Sequence, residues 1–366
     1  MKMLPDDRPG EPGIVFRLAV VGAVPLVLGL AFIGAAGWFS PHRLTQSTLM
    51  NTFQAVDGLH PGFRRNHAKG MCVTGWFESS GQAMHLSRAT LFGPVRSPVI
   101  GRFALAGGMP YQNDAPAKVR SMALRIMPPD GAEWRMGIND IPVFPVRNVS
   151  EFNTFTLATR PDPRTGKPDP ARMGAFVTTH PETAQAIALI KSRPITSGFA
   201  NDTYNSLDSF LFVSPNGTTT PVRWAMVPEQ ARQQSEPRPD ETHDGRDYLF
   251  TDLIAALARA PLRWHLMITP AEPGDPVADP ALPWPSSRPQ IDAGVLTLNA
   301  AESEDGGPCT NFTYDPLVLP SGITPSDDPI PAARSAAYAR SLTLRSGEHK
   351  PPGAITPAMI RPGEKT

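Results

Sequence analysis

Phe63-Arg64-Arg65-Asn66-His67-Ala68-Lys69-Gly70 runs directly into Met71-Cys72-Val73-Thr74-Gly75-Trp76-Phe77, and the fold is organised around this junction. The second piece mixes apolar with small polar residues over a short length, as half-buried antiparallel strands do. The first sets a histidine among basic residues at the mouth of that strand. An imidazole titrates near neutrality, so it can take a proton from a bound substrate and return it, and a strand behind it would hold its backbone still. His67 is therefore the first candidate catalytic residue.

The same texture recurs at residues 99–106, 119–127 and 133–138, with the turn Pro128-Pro129-Asp130-Gly131 between the last two. A second hairpin is predicted where Pro215-Asn216-Gly217 separates 210–213 from 221–227. Helices are expected at 181–191, which opens on proline and acid, at 248–258, where Leu249, Leu253 and Leu257 share a face, and at 332–344, rich in alanine and leucine. Polar, proline-bearing 233–246 and proline-rich 271–289 are expected to be long loops. No internal repeat is visible. Pattern alone gives mixed α and β.

The chain has 366 residues with 40% hydrophobic content, enough to bury a sizeable core. Its 34 basic and 34 acidic residues balance, which gives no case for nucleic acid as a partner. Two cysteines, Cys72 and Cys309, cannot build a disulfide framework or a zinc site, and a single bridge between them stays open.

The first fifteen residues are polar and of mixed sign, 1–17 is the expected cytoplasmic segment, and 18–40 contain no charged residue. That run is long enough for a membrane helix, with Trp38 and Phe39 at the interface. Lys2, Arg8 and Arg17 precede it against Arg43 behind, so the amino end is expected in the cytoplasm and the remainder on the periplasmic side. A cleaved signal ending near Gly34-Ala35-Ala36-Gly37 is the alternative, and it too puts the catalytic part outside. A linker at 41–51, a main domain at 52–350 and a tail at 351–366 complete the expected layout.

Arg64-x-x-His67-Ala68-Lys69-Gly70 resembles the segment that carries the distal histidine of haem catalases. Gly137-Ile138-Asn139-Asp140-Ile141-Pro142-Val143-Phe144 is similar to the segment with the distal asparagine. Asp315-Pro316-Leu317, Gly322-Ile323-Thr324-Pro325-Ser326-Asp327 and Arg334-x-x-x-Tyr338 resemble the approach to the proximal tyrosine. These strings stand in the family's order, and the resemblance is closest to the small catalase-related peroxidases.

The resemblance implies an α+β fold, an antiparallel β-barrel with flanking helices, and haem b as cofactor. It implies His67 as acid–base and Asn139 as the group that orients hydrogen peroxide. Tyr338 would be the iron ligand. Arg334, four residues earlier on one helix face, would favour its phenolate form. It implies that Arg64, Arg102 and Arg345 hold the haem carboxylates, since a guanidinium grips a carboxylate in bidentate fashion, and that Phe152 lies in the distal channel.

Departures from the catalase pattern point to peroxidase chemistry with an organic electron donor and to weak oxygen release. Ala104 stands where the resemblance calls for a serine bonded to the distal imidazole, so that bond is expected to be missing. Ala339-Arg340-Ser341-Leu342 lacks the proline, aspartate and histidine that follow the tyrosine in larger enzymes. The other readings are a true catalase, a haem enzyme that rearranges fatty-acid hydroperoxides, and a non-enzymatic haem-binding protein. The last has no use for His67 and Asn139 together.

Overall fold

The computed structural model describes residues 13–35, 44–115, 117–230 and 245–361. They fall into two units, residues 1–45 and 46–366. The first contains helix α1 (Ile14–Ala35). Leu18, Val21, Val24, Leu26, Val27, Leu28, Leu30 and Phe32 are exposed along it. Among the described residues no helix is long and apolar enough to cross a membrane. The charge-free described part, residues 18–35, rises only about 27 Å at 1.5 Å per residue, short of a ~30 Å hydrocarbon core. Residues 36–40 of the expected span lie outside the described residues.

The second unit holds the strands β1 (Gly70–Ser79), β2 (Arg96–Leu105), β3 (Arg120–Ile126), β4 (Trp134–Asn139), β5 (Tyr204–Asn205), β6 (Phe210–Val213), β7 (Thr219–Pro228), β8 (Leu262–Pro270), β9 (Ile291–Glu302) and β10 (Ile323–Pro325). Neighbours pair antiparallel in the order β7-β5-β4-β3-β2-β1-β9-β8, and β7 also pairs β8, so eight strands close into a barrel. Closure leaves no open edge among these eight. β6 and β10 extend the sheet beyond β7.

Alternation along each strand sends one set of side chains inward. Met71, Val73 and Phe77 of β1, Phe103 and Leu105 of β2, Met122 and Leu124 of β3, Trp134 and Ile138 of β4, and Trp264 and Leu266 of β8 form one buried cluster. Trp134 packs on Trp224 with ring centroids 5.0 Å apart, and Phe103 on Trp264 at 5.9 Å. Each such fully buried side chain contributes about 1.5–3 kcal/mol. The interior is thus a filled core, and a functional cavity has to be built on the outer face.

That face is covered by helices α2 (Gln46–Asp57), α3 (Val149–Ala158) and α7 (Ile330–Ser346), while α4 (Pro170–Thr179), α5 (Pro181–Ser192), α6 (Tyr248–Arg259) and α8 (Pro357–Ile360) complete the set. α2 starts inside the stretch expected to be a linker, because Leu49, Met50 and Phe53 at helical spacing bury there. The carboxy-terminal stretch also joins the core: Ile355 is buried, and its carbonyl accepts a hydrogen bond from Ser303 Oγ at 2.7 Å.

On the outer face of β1, Cys72 forms a disulfide with Cys309, and the pair packs with Tyr314 in a second buried cluster. The bridge ties the segment after β9 to β1. Closing so long a loop stabilises a fold by about 2–4 kcal/mol in the usual range.

Candidate active site

His67 sits just before β1 with φ of 54°, the left-handed region that a residue with a Cβ rarely enters. Asn66 holds it there: its Oδ1 accepts from the backbone N–H groups of His67 and Gly107, both at 2.9 Å. Leu207 is the other non-glycine residue with positive φ among those described, at 62°. Both line one cavity. Such backbone strain persists where surrounding structure holds a functional group in place.

Cross-strand register assembles the floor of this cavity. Ala104 of β2 pairs with Ser121 of β3, and Ser121 with Asn139 of β4. One row along, Arg102 pairs with Ala123, and Ala123 with Gly137. These are the outward positions, alternate to the core residues Phe103, Met122 and Ile138. The cavity holds about 1200 Å³ of empty space, its open mouth included. His67, Asn139, Arg64, Arg102, Phe152, Arg334, Tyr338 and Arg345, all singled out from the sequence, line it together.

On the α7 side, Arg334 Nη2 donates to Tyr338 Oη at 3.3 Å and to the Gly137 carbonyl at 2.6 Å, and Nη1 to Asp208 at 2.5 Å. Burial works against the Arg334 charge, yet the fields of Tyr338 and Asp208 raise its pKa above the ordinary arginine value. The guanidinium is thus held charged against the Tyr338 oxygen. Gly137 is needed for the approach, since a Cβ there would lie 2.9 Å from Arg334 Nη2 and 3.4 Å from Tyr338 Oη. Gly70 does the same for Arg102, whose Nη2 would be 2.2 Å from a Cβ.

His67 is strongly desolvated, and burial together with the Arg102, Arg334 and Arg64 charges pushes its pKa down to about 3. It is a neutral base at any ordinary pH. Its Nδ1 lies 3.0 Å from Ser121 Oγ. The missing hydroxyl expected from Ala104 is therefore corrected: the hydroxyl comes from the neighbouring strand, directly opposite Ala104 in register. Ser121 also hydrogen-bonds Asn139 Oδ1.

Arg64, Arg102 and Arg345 gather at one end, but not as free cations. Arg102 Nε and Nη2 donate to the two oxygens of Glu304, each at 2.8 Å, and Arg64 Nε stands 3.7 Å from the same carboxylate. Burial works against the Glu304 charge, but Arg102 and Arg64 hold its pKa down at about 2. Arg64 Nη2 donates to the Cys309 carbonyl at 2.8 Å, and Arg345 to the carbonyls of Thr310 and Phe312 at 2.6 and 3.0 Å. The disulfide thus fixes the segment that orients two of the three arginines. Burial and Arg64 push the Arg345 pKa down to about 9, the mark of a cation among cations. Phe152 stacks near Phe144 and Phe53, with centroids 5.3 and 6.1 Å away, and the three form an aromatic wall.

A family model described as Catalase matches residues 34–351. The chain belongs to the catalase family. It is 36% identical over 334 residues to a catalase-related peroxidase of Synechococcus elongatus, covering 90% of this chain and 97% of that protein. It is 29% identical over 319 residues to a catalase-related peroxidase of Mycolicibacterium paratuberculosis, covering 86% and 99%. Among solved structures, catalase A from Saccharomyces cerevisiae shares the fold, with TM-score 0.67 and 21% identity over 78% of this chain and 62% of that one.

A catalase-family chain implies haem, and the charge balance of the cavity fits such a group. Five arginines line it, Arg64, Arg65, Arg102, Arg334 and Arg345. Three carboxylates pair with them: Glu304 with Arg64 and Arg102, Glu348 with Arg65, and Asp208 with Arg334. Buried charge needs a counter-charge, and the arginines outnumber the carboxylates, which suits a ligand that itself carries carboxylates. Ala104, Ala123, Gly137, Ala333 and Ala337 line the space between and leave room for a flat ring.

Sequence reasoning missed Ser121, Asn66, Glu304 and Asp208. Asn66 had a signal, since asparagine before a turn bonds backbone N–H groups. The others depend on strand register and long-range packing.

Proposed function

We propose that this catalase-family oxidoreductase is a haem peroxidase that reduces hydrogen peroxide with electrons from an organic donor and releases oxygen weakly. The observation that carries the reading is the meeting of His67, Asn139, Arg334 and Tyr338 on one cavity. The relatives matched over nearly their full length carry the name catalase-related peroxidase. Balanced, one peroxide takes two electrons and two protons from the donor and becomes two waters.

Haem b, held by Tyr338 and by its carboxylates at Arg64, Arg102 and Arg345, would supply the redox centre at which peroxide accepts electrons. Neutral His67 takes a proton from one peroxide oxygen and delivers it to the other, so that water leaves rather than hydroxide. Asn139 offers an uncharged amide donor that orients the small polar substrate. Phe53, Phe144 and Phe152 narrow the approach and exclude bulk water. Arg334 donates a hydrogen bond to the Tyr338 oxygen, and Asp208 keeps Arg334 in place.

The test is to purify the full chain, record its haem spectrum, and follow peroxide consumption with and without a phenolic donor. A donor-dependent turnover of haem-loaded protein supports the reading. A protein that takes up no haem overturns it. The true-catalase reading gains from Ser121, which supplies the imidazole with the hydroxyl that Ala104 lacks.

We also propose that the amino-terminal stretch anchors the chain in a membrane with the catalytic unit on the periplasmic side. Exposed apolar side chains along α1 support this, as does the Cys72–Cys309 disulfide, since such bonds persist in oxidising compartments. Alkaline carbonate washing of membranes should leave the full chain in the pellet and release a chain starting at residue 46. Release of the full chain as well would refute the anchor.

A further inference from the structure

Two distal groups, an imidazole and a carboxamide, share one hydroxyl here. Ser121 Oγ lies 3.0 Å from His67 Nδ1 and also bonds Asn139 Oδ1. A serine hydroxyl has a single hydrogen and two lone pairs. Given to the amide oxygen, which can only accept, that hydrogen leaves the oxygen as acceptor toward the imidazole. Nδ1 must then carry its own hydrogen.

We propose that Ser121 is a positioning residue that fixes the polarity of the whole distal site, through a hydrogen-bond chain running from His67 Nδ1–H to Ser121 Oγ–H to Asn139 Oδ1. The inference rests on the peroxidase reading and assigns the site's internal wiring. Its consequences are two. His67 Nε2 is left with a free lone pair, the state a base needs. Asn139 is held with Nδ2, its donor end, turned from the serine and left for substrate. The reversed chain, from Asn139 Nδ2–H to Ser121 Oγ–H to Nδ1, would put a hydrogen on Nε2 and leave no base for peroxide.

Two observations favour the forward direction. It is Asn139 Oδ1 that meets the hydroxyl. The surrounding charges are cations, Arg102, Arg334 and Arg64, so the neutral ring has no anion to draw its hydrogen away from this acceptor chain. The chain is set by register, since Ala104, Ser121 and Asn139 lie side by side on three strands.

The test begins on the full chain labelled with 15N-histidine, before haem is added, with the His67 signals identified by their loss in His67→Gln. Nitrogen chemical shifts distinguish the two neutral tautomers. The proposal expects Nδ1–H in the unmodified chain, and a single Nε2–H form would overturn it. In Ser121→Ala the tautomer preference should weaken, and the haem-loaded protein should react with peroxide about ten- to a hundredfold more slowly, the range for a misplaced catalytic group. Ser121→Thr keeps the hydroxyl and should recover most of both. A Ser121→Ala protein with unchanged tautomer and unchanged rate would also overturn the proposal. If the tautomer result stands but no haem is taken up, it is the peroxidase reading that fails and not the hydrogen-bond chain.

Discussion

Tyr338→Phe should leave a folded protein that no longer retains haem. The phenol oxygen is removed while the ring, its place on α7 and its neighbours Gly137 and Arg334 stay. Changes in the groups that merely orient a metal ligand cost about ten- to a hundredfold in affinity, so loss of the ligand itself should cost at least that. Arg334 would also be left with Asp208 and the Gly137 carbonyl as its remaining partners. Haem titration followed by absorbance, with circular dichroism as the control for folding, measures this. Unchanged affinity and an unchanged spectrum would remove Tyr338 as the ligand.

His67→Ala should keep haem and lose reactivity. The imidazole is not a ligand in this account, and its removal leaves Tyr338, Arg334 and the arginine end untouched. Its work is to move one proton between two oxygens, a contribution of about a hundredfold to ten-thousandfold. Rapid mixing of the haem-loaded variant with peroxide should therefore show a reaction slower by about a hundredfold or more. In the unaltered protein the base form of His67 is present above its pKa and lost as pH falls through about 3. The first reaction with peroxide should stay level from neutral pH well into the acid range, with no break near the ordinary histidine value of about 6.5. A rate unaffected by His67→Ala, or one that halves near pH 6.5, would contradict the assignment.

The parts legible in the sequence are those carried by short-range pattern. Met71, Val73 and Phe77 alternate, and β1 follows within two residues of the expected end. Residues 210–213 form β6 as expected, and the Ala332–Leu344 pattern lies within α7, with Arg334 touching Tyr338 through one helical turn. β8, which pairs β7 to close the barrel, carries its own alternating signal in Leu262, Trp264, Leu266 and Ile268, though it is not among the strands expected from the sequence. α3 is similarly marked by Asn148, whose side chain accepts from Glu151 N at its amino end.

What could not be read is register. Ser121 is separated from His67 by 54 positions and from Asn139 by 18, and no spacing rule says that they meet. A shift of one residue between β2 and β3 would turn Ser121 into the core. Glu304 is likewise an ordinary acid just after β9 until Arg102 is folded against it. The expectation built on Ala104 fails for this reason: the hydroxyl stands on its neighbour across the sheet, Ser121, and no pattern along the chain points there.

The claim that this is a peroxidase before it is a catalase is tested most directly by one comparison. Haem-loaded protein is given millimolar peroxide with a phenolic donor, and oxygen release and donor oxidation are recorded together. The account predicts that donor oxidation outpaces oxygen evolution. Vigorous oxygen release with negligible donor oxidation would contradict it and make the protein a true catalase.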